Sequence, residues 1–407
     1  MRVLFVSKHF PRDIGTSVNG VFQRMRMFID AWKEIAQLDM LFYVPAELDT
    51  SPAAVAAHES ALRKFWQVDL RLTLCPQAEQ ANGRARWKSY AEGAVSLFGQ
   101  PGYAETSGPL QVRVFEGLLE RRPDAVFVHR LAAMCPALLS QKRIPRIIFD
   151  LDDVEHVSLW RAAAHMPQWK GSLLYSSRLP ALCWGERRAM NVASRTFVCS
   201  EADRRYLEDT WRIKGVRTIP NGIEIRAPAP VAAAPSLMFI GSYRYEPNVQ
   251  AAEFLLEKVW PRVLKRVPDA ELLVAGPSPQ NIAAARIARP GVQFLGFVED
   301  LAELYRRARV ICCPIFVGGG TRIKILEAAA HGRPVVATRI GAEGLDMTDG
   351  EELLLRDDPE SFAAACVELL RSSELCERLG TAAYRKALQQ YDRRAILPLI
   401  RNYLACE

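Results

Sequence analysis

Long apolar runs are missing from this 407-residue chain. None approaches the ~20 residues that a membrane-spanning helix needs. The opening Met1-Arg-Val-Leu-Phe-Val-Ser-Lys8 has too short an apolar core for a secretory leader and reads as a first strand. Cysteine is present without a pattern: nine residues, odd in number and scattered, with only Cys312 and Cys313 close together. That excludes a disulfide framework and a zinc spacing, and points to a reducing cytoplasm. No Gly-x-Gly-x-x-Gly follows the first strand, so the nicotinamide dehydrogenase fingerprint is absent. Short-period repeats and disordered composition are missing too, with 49% hydrophobic and 24% charged residues. Such a chain suits two domains, each able to bury a core.

Acidic residues are scarce in one half only. Residues 1–222 hold 30 Lys and Arg against 23 Asp and Glu, and residues 223–407 hold 23 of each, so the first half carries the whole net charge of +7. Within 161–217, 11 basic residues stand against 5 acidic ones. A solvated face explains such a surplus. So does an anionic partner met by the first domain, either a phosphorylated lipid or the inner face of a membrane. Nucleic acid is not expected.

Strand-like runs recur at Arg2–Ser7, Asp39–Val44, Val68–Leu74, Ala125–Val128, Arg146–Phe149, Thr196–Cys199 and Val216–Ile219. Helical stretches, the first over Val18–Ile35, separate most of them, which predicts parallel βα units. Residues 76–108 are the least regular part, with Trp87, Tyr90, Phe98 and Tyr103 among Gly and Arg, and a helical insertion is expected there. The Pro/Ala stretch Arg226–Pro235 is a stiff linker. The pattern then restarts with strands at Leu237–Gly241, Ala270–Ala275, Val292–Leu295, Val310–Cys313 and Pro334–Ala337. Helices are expected at 247–267, 280–288, 298–308, 321–331, 359–370 and 373–390. The domains predicted are 1–222 and 223–390, with 391–407 crossing back to the first.

One stretch organises the rest: Phe316-Val-Gly-Gly-Gly-Thr-Arg-Ile-Lys-Ile-Leu-Glu-Ala-Ala-Ala-His-Gly-Arg-Pro334. Gly318 to Gly320 let the backbone turn and approach a ligand closely. Thr321 is the expected N-cap, and Gly332 with Pro334 ends the helix. A glycine loop feeding a helix N-terminus suits a phosphate. Arg322 and Lys324 add charged donors, and Glu327 can accept from sugar hydroxyls. A plain turn with a solvated Arg and Lys fits the same letters.

The stretch resembles the signature of family 4 retaining glycosyltransferases of the GT-B fold, in which the glycine loop, Leu-Glu-Ala and Gly-x-Pro-Val-Val follow in this order. The resemblance covers roughly residues 1–60 and 120–400 and is strongest from 196 onward. It implies two doubly wound Rossmann-like domains facing a central cleft. The amides of Gly319, Gly320 and Thr321 would hold a donor diphosphate, with Arg322 and Lys324 as catalytic cations and Glu327 on the ribose. Where the usual motif has a second Glu eight positions earlier, this chain has Gly319, as does a Gly-Gly-Gly-Thr-Arg-x-Lys subgroup.

Further donor-binding residues are implied at Gly241 and Arg244, within Phe239-Ile-Gly-Ser-Tyr-Arg-Tyr-Glu-Pro-Asn-Val-Gln250. Phe297 and Val298 are implied where a base would lie. Gly20 matches the family's glycine loop beneath the donor phosphates, within Gly15–Gly20. His129, directly after a strand, matches the family histidine near the sugar, although a lone His is as often structural. Phe149-Asp-Leu-Asp-Asp-Val-Glu-His156 contains Asp-x-Asp, a metal spacing for nucleotide sugars in a single-sheet fold. In a two-sheet chain Asp153 and Glu155 are better read as helix caps lining the acceptor side. Ser200 is the expected cap of the helix that follows it.

The expectation is a glycosyltransferase of polysaccharide biosynthesis. It would move a sugar, with retention, from a nucleotide diphosphate sugar (a co-substrate, not a cofactor) to a glycan or lipid-linked glycan, without a metal. Two alternatives stay open: a sugar-nucleotide 2-epimerase of the same fold, and a non-catalytic nucleotide-sugar-binding partner. The expected place is cytoplasmic, with peripheral contact at the membrane as an addition.

Overall fold

The central apolar runs become strands buried along most of their length, as in a sheet covered on both faces. In β1 (Arg2–Ser7), Val3 to Val6 are all buried. The computed structural model describes residues 1–12, 14, 20–78, 103–165, 179–228 and 230–405. Most of the irregular stretch expected at 76–108 and most of the loop Gly15–Gly20 therefore lie outside the described residues.

The chain divides into two compact units, one made of residues 1–220 with the terminal segment from Leu397, the other Asn221–Ile396. The first unit holds β1 with β2 (Gln37–Val44), β3 (Leu70–Pro76), β4 (Ala125–His129), β5 (Arg146–Asp152), β6 (Arg195–Val198) and β7 (Val216–Thr218). They form one parallel sheet in the order β3-β2-β1-β4-β5-β6-β7. Strand order reverses between β1 and β4, and the carboxyl ends at such a switch point are where open α/β sheets place ligands. The register sets Ser7 beside His129, and His129 beside Asp150.

The helix Gly20–Trp32 packs on this sheet through Met25, Phe28, Ile29 and Trp32. Phe28 lies 4.7 Å from Phe127, which in turn stacks on Phe5 at 5.2 Å. Each such ring contributes about 1.5–3 kcal/mol by burial. Ser200 caps Glu201–Trp211, its hydroxyl accepting from the Asp203 amide at 3.0 Å. The last helix, Arg393–Ala405, returns to this unit, with Arg401 on Glu34 at 2.8 Å.

The second unit holds β8 (Ser236–Ile240), β9 (Glu271–Ala275), β10 (Val292–Gly296), β11 (Val310–Cys313), β12 (Val335–Ala337) and β13 (Leu354–Leu355). Its parallel order is β10-β9-β8-β11-β12-β13, with the switch between β8 and β11. Two expected helices come out differently. The stretch 247–267 is α-helical at Glu246–Glu253 and Trp260–Arg266 but π-helical at Phe254–Val259. Pro261 is the cause: it has no N–H and its ring crowds the carbonyl four residues back, so the turn before it widens. The stretch 280–288 is not an α-helix. It forms two 3-10 turns, Pro279–Asn281 and Ala283–Arg286, parted by Ile282, which is extended and fully buried in the core.

Candidate functional site

After β11 the chain enters the glycine loop. Gly318 (φ 114°) and Gly320 (φ 68°) take left-handed conformations that side-chain-bearing residues rarely adopt. The helix then runs Ile323–Ala330. The expected N-cap at Thr321 is corrected: Arg322 holds the cap position and makes no side-chain cap bond. Thr321 is drawn away because its hydroxyl accepts from Asn221 Nδ2 at 2.7 Å.

Arg322 curls back over its own loop. Its Nη1 donates to the carbonyls of Gly319 and, at 3.0 Å, Gly320. Its Nε and Nη2 are buried and have no partner among the described residues. A guanidinium with two buried nitrogens unmet is costly unless something accepts from them. Lys324 Nζ donates to Asn248 Oδ1 at 3.0 Å and sits 4.3 Å over the Phe239 ring. Burial pushes this ammonium down to about 8. Asn248 reaches the lysine only because residue 241 is glycine: a Cβ there would lie 2.7 Å from Asn248 Nδ2.

One turn further on, Glu327 accepts from the Tyr305 hydroxyl at 3.1 Å. Burial pushes its carboxyl up to about 7, against the opposing effects of that hydrogen bond and of Lys324. Tyr305 is itself held by stacking on His331, with ring centres 4.6 Å apart. The structure thus gathers Gly241, Gly319, Gly320, Thr321, Arg322, Lys324 and Glu327 around one loop and one helix. Arg244 does not join them: its Nε donates to Ser278 Oγ at 3.1 Å on an exposed edge. Phe297 and Val298 follow β10 at its carboxyl end, Phe297 exposed and Val298 packed on the core.

In the first unit, His129 ends β4 and has no exposed surface. Its Nδ1 lies 3.1 Å from Ser7 Oγ, which also accepts from the His9 amide at 3.0 Å. His129 Nε2 lies 3.8 Å from Asp150 and makes no hydrogen bond among the described residues. Burial, with His9 next, holds His129 well below the usual imidazole range. Asp150 takes Arg24 in a bidentate grip at 2.6–3.1 Å, and Asp152 lies 3.1 Å from the same guanidinium. Both carboxylates of the Asp-x-Asp spacing therefore face an arginine. Asp153 accepts from Ser158 at 3.0 Å, and Glu155 pairs with Tyr103 and, at 3.6 Å, Arg130. The amide at the start of that helix, of Glu155 itself, donates to Glu186 at 2.7 Å. Gly20 opens the helix Gly20–Trp32.

Known proteins match in both halves. Residues 234–372 match the family model "Glycosyl transferases group 1", and residues 63–227 match "Glycosyltransferase Family 4". A phosphatidyl-myo-inositol mannosyltransferase of Mycobacterium leprae is 33% identical over 190 residues, 43% of this chain and 49% of that protein. An uncharacterised 44.6 kDa protein from the cps region of Klebsiella pneumoniae is 25% identical over 40% of this chain and 45% of its own length. The chain thus spans about half the length of these relatives. Among solved structures, Anabaena HepE in complex with UDP-glucose superposes with a TM-score of 0.68 at 14% identity, covering 100% of this chain and 99% of that one. A sucrose-phosphate synthase from Thermosynechococcus elongatus gives 0.69 at 18% identity, with 100% and 99% covered. The fold is GT-B.

Within the GT-B frame, sequence reading missed four residues. Arg24 had a signal, a charge set among Phe22, Met25, Phe28 and Ile29 on an otherwise apolar helix face. Tyr305, Asn221 and Asn248 had none, since each meets its partner across 22 to 100 residues of chain. Among the described residues no helix is long and apolar enough to cross a membrane.

Proposed function

We propose that this chain is a glycosyltransferase that takes a sugar from a nucleotide diphosphate sugar and gives it to a glycan or lipid-linked glycan, with retention and without a metal. The observation that carries the reading is the Arg322 guanidinium beside a glycine loop, with buried Nε and Nη2 unmet. A departing diphosphate supplies the acceptors. As the sugar–oxygen bond breaks, negative charge grows on that oxygen, and donors already in place stabilise it without reorganising. Lys324 is the second cation, Glu327 accepts from the ribose, and the base lies along Phe297 and Val298. The matched family descriptions support the transferase reading. The names of the mycobacterial relative and of the UDP-glucose complex favour a nucleotide sugar and a lipid-borne acceptor. His129, with no exposed surface, serves here by fixing the strand ends on which Asp153 and Glu155 meet the acceptor.

The test is a panel of UDP-, GDP- and ADP-sugars with glycan and lipid-linked acceptors, run with and without a chelator. The expected result is release of one nucleoside diphosphate, an acceptor heavier by one sugar, and turnover unchanged by chelation. A panel without release would overturn the reading. A rearranged nucleotide sugar formed without acceptor would favour the epimerase. Loss of turnover on chelation would return the metal role to the Asp150–Asp153 cluster.

A further inference from the structure

The family resemblance sends Arg244 from the loop after β8 to the phosphate loop, and the structure sends a different residue. Arg244 is turned onto Ser278. The next side chain, Tyr245, carries its hydroxyl to the bare face of Gly318: a Cβ built on Gly318 would sit 2.9 Å from Tyr245 Oη and 3.2 Å from Arg322 Nη2. The phenol and the unmet guanidinium N–H therefore flank the same glycine. Gly318 has φ 114°, so a side chain there would be strained by conformation.

We propose that Tyr245 is a ligand of the donor diphosphate, its O–H and Arg322 Nη2 donating together to phosphate oxygens held over Gly318. The proposal rests on the donor-site reading above and adds a residue to it. Two donors of different kinds suit such a group. The guanidinium supplies charge, and the phenol supplies a neutral O–H that can follow the oxygen as it moves from bridging to terminal. Tyr245 is 53% exposed, so removing its hydroxyl leaves the core untouched. The neighbouring Asn248 amide donates to the Tyr245 carbonyl at 2.9 Å and the Tyr245 amide to the Ser242 carbonyl at 3.2 Å, which fixes the backbone from which the side chain reaches.

Calorimetry with UDP, GDP and the matching nucleosides, on the wild type, Tyr245→Phe and Arg244→Ala, tests this. Tyr245→Phe is expected to weaken the bound diphosphate roughly tenfold, the loss typical of one hydrogen bond to a charged group, and to leave the nucleoside unchanged. Arg244→Ala is expected to stay within about twofold of wild type, as a surface side chain paired only with a serine does. Wild-type affinity in Tyr245→Phe, or a loss shared equally by the nucleoside, would overturn the proposal. So would a loss confined to Arg244→Ala. If the wild type binds no diphosphate at all, the donor-site reading fails and takes this one with it, whereas the other failures leave that reading standing.

Discussion

Two arginines show how differently the two halves use a buried charge. Arg24 is fully buried and fully matched: Asp150 grips it, Asp152 adds a second carboxylate, and the Ile219 carbonyl accepts from Nη1 at 2.8 Å. Burial works against its charge, yet the two carboxylates hold its pKa above the ordinary arginine value. Arg322 is part-buried and matched on one nitrogen only, by carbonyls of its own loop. A closed cluster of this kind stabilises structure. On the proposed function an open one takes a ligand, and the difference would separate an element that positions a site from one that binds.

The largest expected effect breaks the closed cluster. Arg24→Met should destabilise the first unit by about 3–5 kcal/mol, because it strands Asp150 and Asp152 in the interior. Urea denaturation measures it, and changing both aspartates to Asn in the same chain should recover part of the loss. If Arg24→Met alone is neutral, the cluster is not what holds the helix Gly20–Trp32 to the strand ends.

Next comes the open cluster. Arg322→Ala and Lys324→Ala should each lower kcat/KM by about 1.5–3 kcal/mol in transition-state terms, while the denaturation midpoint stays near that of the wild type. Equal turnover in the double variant would remove both residues from the proposed chemistry. A stability loss as large as that of Arg24→Met would make Arg322 a second structural arginine and end the contrast.

The contrast was only half legible in the sequence. The two parallel sheets follow from buried apolar runs such as Val3–Val6 and Val310–Cys313, which carry their own evidence of burial. The glycine loop was legible because its residues are consecutive. What the sequence could not supply was pairing at a distance. Nothing near Thr321 says that Asn221, 100 residues earlier, takes its hydroxyl and moves the helix cap to Arg322. Arg244 and Tyr245 are neighbours in sequence, and only their side-chain directions separate a surface contact from one that reaches Gly318. The failed helix at 280–288 has the same origin, since Ile282 is pulled into a core that local propensity does not see.

A smaller effect concerns Glu327. With its carboxyl pushed up from 4.5 to about 7, the folded chain keeps a proton through that window that the unfolded chain has lost. This group's contribution to stability is therefore full below about 4.5 and is lost as pH rises through about 7. Ribose hydroxyls donate best to the ionised form, so nucleoside diphosphate affinity should rise from pH 6 to pH 7, before Lys324 begins to lose its charge. Titrations across that range should show a larger rise in wild type than in Glu327→Gln. A flat wild-type profile would leave Glu327 a structural partner of Tyr305.

The smallest effect sharpens the comparison most, because it concerns a single proton. Lys324 titrates at about 8, so near that pH about half the molecules carry a neutral amine facing Asn248. A bound diphosphate favours the charged form, and binding at pH 8 should therefore take up part of a proton. Near pH 7 the sign should reverse, since ribose donors favour an ionised Glu327 and drive its proton off. Net proton exchange is read from the binding enthalpy in two buffers of different ionisation enthalpy, HEPES and Tris, at pH 7 and pH 8. Lys324→Gln should abolish the uptake at pH 8 and keep the release at pH 7, and Glu327→Gln should do the opposite. The closed cluster of the first unit, already matched, should exchange no proton in either buffer. If uptake at pH 8 survives in Lys324→Gln, the amine facing Asn248 is not the group that meets the phosphate.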